Sequence, residues 1–168
     1  LRTYQNIGFQ ISVDDMIAPG VSKSIFAPDQ YLEPYLNDLL YASKSILISS
    51  PAIAQAQVDQ LLDALRERQE NGVQIMVITM SPDLYGHGES AHWMELQEKM
   101  RTSGIVVQIT ESGCEHFTVI DDETVWYGSL NFLGKADMED NLMRVVSPEI
   151  AHELKEITFG SGNDLERL

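Results

Sequence analysis

Three apolar runs, Ser45–Ser49, Val73–Thr79 and Ile105–Ile109, alternate with two segments whose apolar residues recur at three- and four-residue spacing. Positions that are apolar in succession, not at every second residue, fit strands covered on both faces. The intervening segments carry Val58, Leu61, Leu62 and Leu65, then Trp93, Leu96 and Met100, and read as helices with one buried stripe. Asn71-Gly72 closes the first and Gly104 the second. Strands joined through helices need long crossovers, which set the strands parallel. The expected fold class is therefore α/β, a layered domain with a mostly parallel central sheet flanked by helices.

The flanks extend this pattern. Tyr31, Leu32, Tyr35, Leu36, Leu39 and Leu40 predict a helix from about Asp29, with Pro34 disturbing its first turn. Further upstream, Ile7–Val13 alternates like a strand and Ala18-Pro19-Gly20 reads as a turn. Downstream, Asn141–Val146 predicts a last strand, and Pro148 opens a helix with Ile150, Leu154 and Ile157 on one face. The expected divisions are an N-terminal extension over 1–24, the domain proper over 25–160, and a frayed tail over 161–168. Because the chain opens on Leu1 in what reads as mid-segment, it is expected to be cut from a longer protein.

A length of 168 residues suits one domain with a substantial core. A single cysteine excludes an internal disulfide, and the expected compartment is the cytoplasm. No apolar run approaches membrane-spanning length, so no membrane partner is expected. A net charge of −15 argues against a broadly basic nucleic-acid surface and predicts weak, salt-sensitive contact with polyanions.

The chemistry concentrates in Ser112–Asn131, read as two short strands joined by the polar trio Asp121-Asp122-Glu123 and followed by a Gly128-Ser129-Leu130-Asn131 corner. Strand alternation would put Cys114, His116 and Thr118 on one side, with Phe117 and Val119 on the other. A tight corner with small polar side chains and exposed amides suits phosphate oxygens.

This spacing resembles the phospholipase D superfamily, whose signature is His-x-Lys, an Asp seven residues after the His, then Gly-Ser-x-Asn. Asp121 stands seven residues after Cys114, and Gly128 fourteen after it. Cys114 occupies the place of the nucleophilic His, and His116 that of the phosphate-binding Lys, so the motif is degenerate. The likeness spans roughly Ile25 to Ile157 and implies the same layered fold. It implies catalytic positions at Cys114, His116 and Asp121, and phosphate-binding positions at His116, Ser129 and Asn131. Asp140 falls near the family's downstream acid, placed to orient His116. Within the superfamily, Val125–Leu133, Glu139–Val145 and Glu149–Leu154 are similar to C-terminal domains of bacterial DEAD/DEAH-type helicases.

Each residue also has a plainer role. For Cys114 it is that of a small buried apolar residue, for His116 that of an ordinary strand histidine, and for Ser129 and Asn131 turn chemistry. A zinc site from His87, His92, Cys114 and His116 is disfavoured, because structural zinc sites usually show two tight ligand pairs. Family members unite two such motifs, one His attacking phosphorus and the other protonating the leaving oxygen, with no cofactor. A single copy implies a homodimer, or a second half in a longer chain that also carries helicase domains and reaches DNA. Three functions are compatible with this. The first is a non-catalytic or weakly active accessory module of a DNA-processing helicase, with a phosphodiester-binding cleft and no useful activity in the isolated domain. The second is a live phosphodiesterase or nuclease using Cys114 and His116. The third is a dimerisation module with a vestigial cleft.

Overall fold

A computed structural model describes residues 23–84 and 88–160. The expected strand at Ile7–Val13, the turn at Ala18–Gly20 and the 161–168 tail lie outside the described residues. From Lys23 onward the elements run β1 (Ile25–Phe26), α1 (Leu32–Leu40), β2 (Ser45–Ser49), α2 (Gln55–Glu70), β3 (Gln74–Met80), α3 (Ser90–Thr102), β4 (Val106–Thr110), β5 (Phe117–Ile120), β6 (Thr124–Gly128), β7 (Leu142–Val146) and α4 (Pro148–Phe159). Pro34 is accommodated within the first turn of α1, where its missing N–H has no helical partner to lose.

These strands form one sheet in the order β1-β7-β6-β5-β2-β3-β4. The α/β class holds, but the sheet is mixed. Only β2–β3 and β3–β4 pair in parallel, while β1–β7, β6–β7, β5–β6 and β2–β5 are antiparallel. The physical reason is connection length. Helices α2 and α3 supply the crossovers that parallel pairing needs, whereas the tight Asp121–Glu123 connection permits only an antiparallel hairpin.

Helices α1, α2 and α3 pack on one face over Tyr35, Ile46, Ile48, Leu61, Met100 and Trp126. Among the described residues, helix α4 packs on the other, over Leu47, Met76, Phe117, Val119 and Val125. Two polar ties fix the first layer. Tyr35 Oη and Thr118 Oγ1 lie 2.9 Å apart in the core. The carboxylate of Asp38 on α1 accepts from Trp126 Nε1 at 2.7 Å and from Arg144 at 2.6 and 3.0 Å. A paired, planar guanidinium and an indole together satisfy a carboxylate that is largely out of water.

The hairpin turn is equally determined. Asp121 and Asp122 have φ of 55° and 60°, and Glu123 N–H donates to Ile120 O at 3.1 Å, as in a type I′ turn. Aspartate is among the few side chains that tolerate this left-handed geometry. The Asp121 carboxylate accepts from the amides of Ser43, Lys44 and Ser45 at 3.0, 2.6 and 3.1 Å. Asp122 pairs with Lys44 at 3.3 Å and with the buried Lys155 of α4.

Candidate functional site

The carboxyl ends of β2, β3 and β6 and the amino ends of β5 and β7 meet along one edge of the sheet. Ligand sites in open α/β sheets form outside the carboxyl ends of parallel strands. The Gly128–Asn131 corner sits here because the backbone leaves room for nothing larger. A Cβ at Gly128 would stand 2.2 Å from Asn141 O and 2.6 Å from Leu142 Cα. Ser129 N–H donates to Asn141 O at 3.1 Å, and Ser129 Oγ donates to Asp140 Oδ1 at 2.7 Å. Asn131 Oδ1 accepts from Ala52 N–H at 3.0 Å, which ties the corner to the loop after β2.

His116 joins this corner. Its Nδ1 lies 3.2 Å from Leu130 O, between Ser129 and Asn131. A carbonyl only accepts, so Nδ1 carries the proton and Nε2 holds the lone pair of the neutral ring. Asp140 does not orient the imidazole as expected; the Leu130 carbonyl does, while Asp140 accepts from Ser129 Oγ and from Asp137 N–H at 2.7 Å.

Cys114 departs from the strand expectation. Strand β5 begins only at Phe117, and Gly113–His116 lies outside the ladder. Thr118 bonds Tyr35 on the three-helix face, whereas half-buried Cys114 packs with Phe117 and Val119 on the α4 face. The two are therefore not on one side. Burial pushes the Cys114 thiol up, Ser49 partly offsets this, and the Glu115 charge adds a lesser rise. Cys114 lines a cavity of about 250 Å³ with Ile78, Thr110, Ser112, Glu115 and Ile157.

Asp121 is not brought to the cluster. It sits at the opposite end of β5, clamped to the amides that start β2. His92 lies on α3, 3.6 Å from Glu95, and borders a different cavity from Cys114; His87 lies outside the described residues. Among the described residues no three His, Cys, Asp or Glu side chains are grouped to hold a metal.

Three residues at this edge were not singled out from the sequence. Ser49 and Ser50 are fully buried; Ser49 Oγ donates to Glu115 O at 2.5 Å, and Ser50 Oγ accepts from Leu133 N–H at 3.1 Å. Their signal is Ser49-Ser50-Pro51 at the end of an apolar strand. Glu115, between the two signature positions, is exposed and accepts from Tyr127 Oη at 2.8 Å.

The family described as cardiolipin synthase, PLD-like domain, matches residues 35–158. No curated protein matches the chain. Among solved structures, Nuc, a phospholipase D family member from Salmonella typhimurium, is similar at 19% identity with a TM-score of 0.60, over 80% of this chain and 90% of its own. NucT from Helicobacter pylori is similar at 15% identity and TM-score 0.59, over 80% and 92%. The archaeal chromatin protein TrmBL2, described as showing a novel mode of DNA binding, is similar at 12% identity and TM-score 0.57, over 85% of this chain and 53% of its own. At these identities the likenesses show the fold.

Proposed function

The chain belongs to the PLD-like domain family of cardiolipin synthase, and on that premise we propose that it is a non-catalytic accessory module retaining a phosphodiester-binding cleft at His116, Ser129 and Asn131. The observation that carries this is the state of Cys114. A nucleophilic cysteine works as thiolate in an electropositive, open setting. Here the thiol is packed against the core, pushed up by burial and flanked by a carboxylate. The second signature position has also changed, from a permanent cation to a histidine whose charge depends on its surroundings. In comparable sites one lost transition-state donor costs about 10²–10³ in rate.

The parent chain in this reading is a DNA-processing helicase. The support is sequence likeness in Val125–Leu133, Glu139–Val145 and Glu149–Leu154. The test of inactivity is direct. A fluorogenic phosphodiester and single-stranded DNA should survive incubation with the domain, with and without divalent metal. Hydrolysis abolished by Cys114→Ser would overturn the reading. Hydrolysis gained only by Cys114→His with His116→Lys would support a scaffold whose chemistry has been switched off.

A second copy of the chain as partner is favoured by one feature. Ile25, Met143 and Tyr127 are register neighbours across β1, β7 and β6, and they are 60%, 37% and 38% exposed. Tyr127 also pairs with Phe117, which places this row on the α4 side, next to Glu115. A self-complementary apolar row beside the half-cleft fits an isologous contact. Sedimentation at micromolar concentration should show a dimer that Met143→Glu dissociates; a monomeric parent domain removes this reading.

A further inference from the structure

Ser49 ends β2 and Ser50 follows it, and both are wholly out of water. A buried hydroxyl destabilises unless it is hydrogen-bonded, and neighbours in an extended chain point to opposite sides. Each serine accordingly finds its partner in a different direction. Ser49 Oγ donates to Glu115 O, in the segment that carries Cys114 and His116. Ser50 Oγ donates to Ala52 O at 2.7 Å and accepts from Leu133 N–H at 3.1 Å, two residues beyond Asn131. The two halves of the proposed cleft are thus tied to the end of β2 by one hydroxyl each.

The loop from β2 to α2 is fastened along its length. Ser50 N–H donates to Ile78 O at 2.9 Å, and Ala54 N–H to Leu133 O at 2.8 Å. Pro51 O accepts from Thr79 Oγ1 at 3.0 Å and from Met80 N–H at 3.2 Å. The corner passes close against this loop, since a Cβ on Gly134 would stand 3.0 Å from Ala52 O. From the fastened loop, Ala52 N–H reaches the side chain of Asn131, 3.0 Å from Oδ1. A carboxamide carries an acceptor at one end and donors at the other, and a backbone amide only donates. The Asn131 oxygen is therefore taken, and Nδ2, which has no partner among the described residues, is the end left for a ligand. This choice sets the sign of the site. With Oδ1 outward, a corner that already holds the Glu115 and Asp140 carboxylates would suit a cation; with Nδ2 outward, it offers donors to an anion.

We infer that Ser50 is a positioning residue of the cleft. By holding Ala52 in place it fixes the Asn131 carboxamide with its donors toward the ligand, and so selects an anionic phosphodiester. The inference rests on the cleft proposed at His116, Ser129 and Asn131, and Ser50 acts there only through Asn131.

The test is NMR of the chain, following the Ala52 N–H and the Asn131 side-chain amide, with dimethyl phosphate as the probe. In the wild type, Ala52 N–H should be protected from hydrogen exchange, and the Asn131 amide should shift on titration. Ser50→Ala should speed Ala52 exchange and weaken dimethyl phosphate binding, each about three- to tenfold. Ser50→Thr, which keeps the hydroxyl, should restore both. Ser49→Ala removes an equally buried hydroxyl from the other half and should leave Ala52 exchange unchanged. Asn131→Asp keeps an oxygen for Ala52 N–H but replaces the donors with an acceptor. It should therefore retain Ala52 protection and lose dimethyl phosphate. Wild-type affinity in Ser50→Ala or in Asn131→Asp would overturn this inference and leave the cleft standing. Equal speeding of Ala52 exchange by Ser49→Ala and Ser50→Ala would overturn it too, as the mark of general loosening. A wild-type chain that binds no dimethyl phosphate would overturn the cleft itself, and this inference with it.

Discussion

The two ends of the β5–β6 hairpin are built from similar residues to opposite purposes. At the turn, Asp121 receives three backbone amides and Asp122 two lysines, so both aspartates are partnered. At the open end, the Glu115 and Asp140 carboxylates are held only by the hydroxyls of Tyr127 and Ser129 and one amide, and no cation accompanies them among the described residues. Asp121 at the turn serves the fold, whereas Cys114, His116, Ser129 and Asn131 lie toward the open end, where the phosphate cleft is proposed.

The largest effect should appear at the turn. Asp121→Ala leaves the amides of Ser43, Lys44 and Ser45 without their acceptor and should cost about 2–3 kcal/mol, discounted for partial exposure. Cys114→Ser at the open end should cost less than about 1 kcal/mol. Urea unfolding of both variants measures the difference, and equal losses would break the comparison. The same contrast has a pH signature. Burial works to raise Asp121, but the amides of Lys44, Ser43 and Ser45 outweigh it; burial also opposes the lowering of Asp122 by Lys155 and Lys44. Both folded carboxyls thus titrate below the unfolded value of about 3.9. Their stabilisation is present above that value and is lost as pH falls through the folded ones. Stability should fall steeply below about pH 4, and less steeply in Asp121→Ala.

Much of this architecture is legible in the sequence because local patterns and the fold agree. Apolar runs at Ser45–Ser49 and Val73–Thr79, the stripes of α2 and α3, and Pro148 at the start of α4 each match one element within a residue. The antiparallel half of the sheet is not, because pairing direction depends on where the chain goes after β4, not on any strand's composition. His116, Ser129 and Asn131 do lie together at one sheet edge, whereas the strand-face expectation for Cys114 fails. Period-two reasoning holds only inside a ladder, and residues 113–116 precede it. Ser49, Ser50 and Glu115 escape notice because their roles are set by neighbours 66 to 83 residues away or across the hairpin.

A smaller effect should show in thiol reactivity. With its thiol pushed up by burial and by the Glu115 charge, Cys114 should be alkylated by iodoacetamide more slowly than free glutathione at about pH 7.5. Glu115→Gln should speed the reaction modestly by removing one of those two causes. Unfolding in urea should abolish the protection. Reaction faster than glutathione in the folded protein would mark an activated thiol and make the open end a live site.

The smallest effect concerns the phosphate cleft. Dimethyl phosphate is the right probe because it carries a single charge. If the corner holds a phosphodiester, the ligand should meet the Nε2 side of His116, since Nδ1 is committed to Leu130 O. The nearby Glu115 and Asp140 carboxylates oppose an anion there. Glu115→Gln should therefore tighten binding by about two- to fivefold, the range of one exposed ion pair, and His116→Ala should weaken it. NMR titration reads each case. Binding that is indifferent to His116→Ala would remove His116 from the cleft, and the open end would then differ from the turn only in being unfinished.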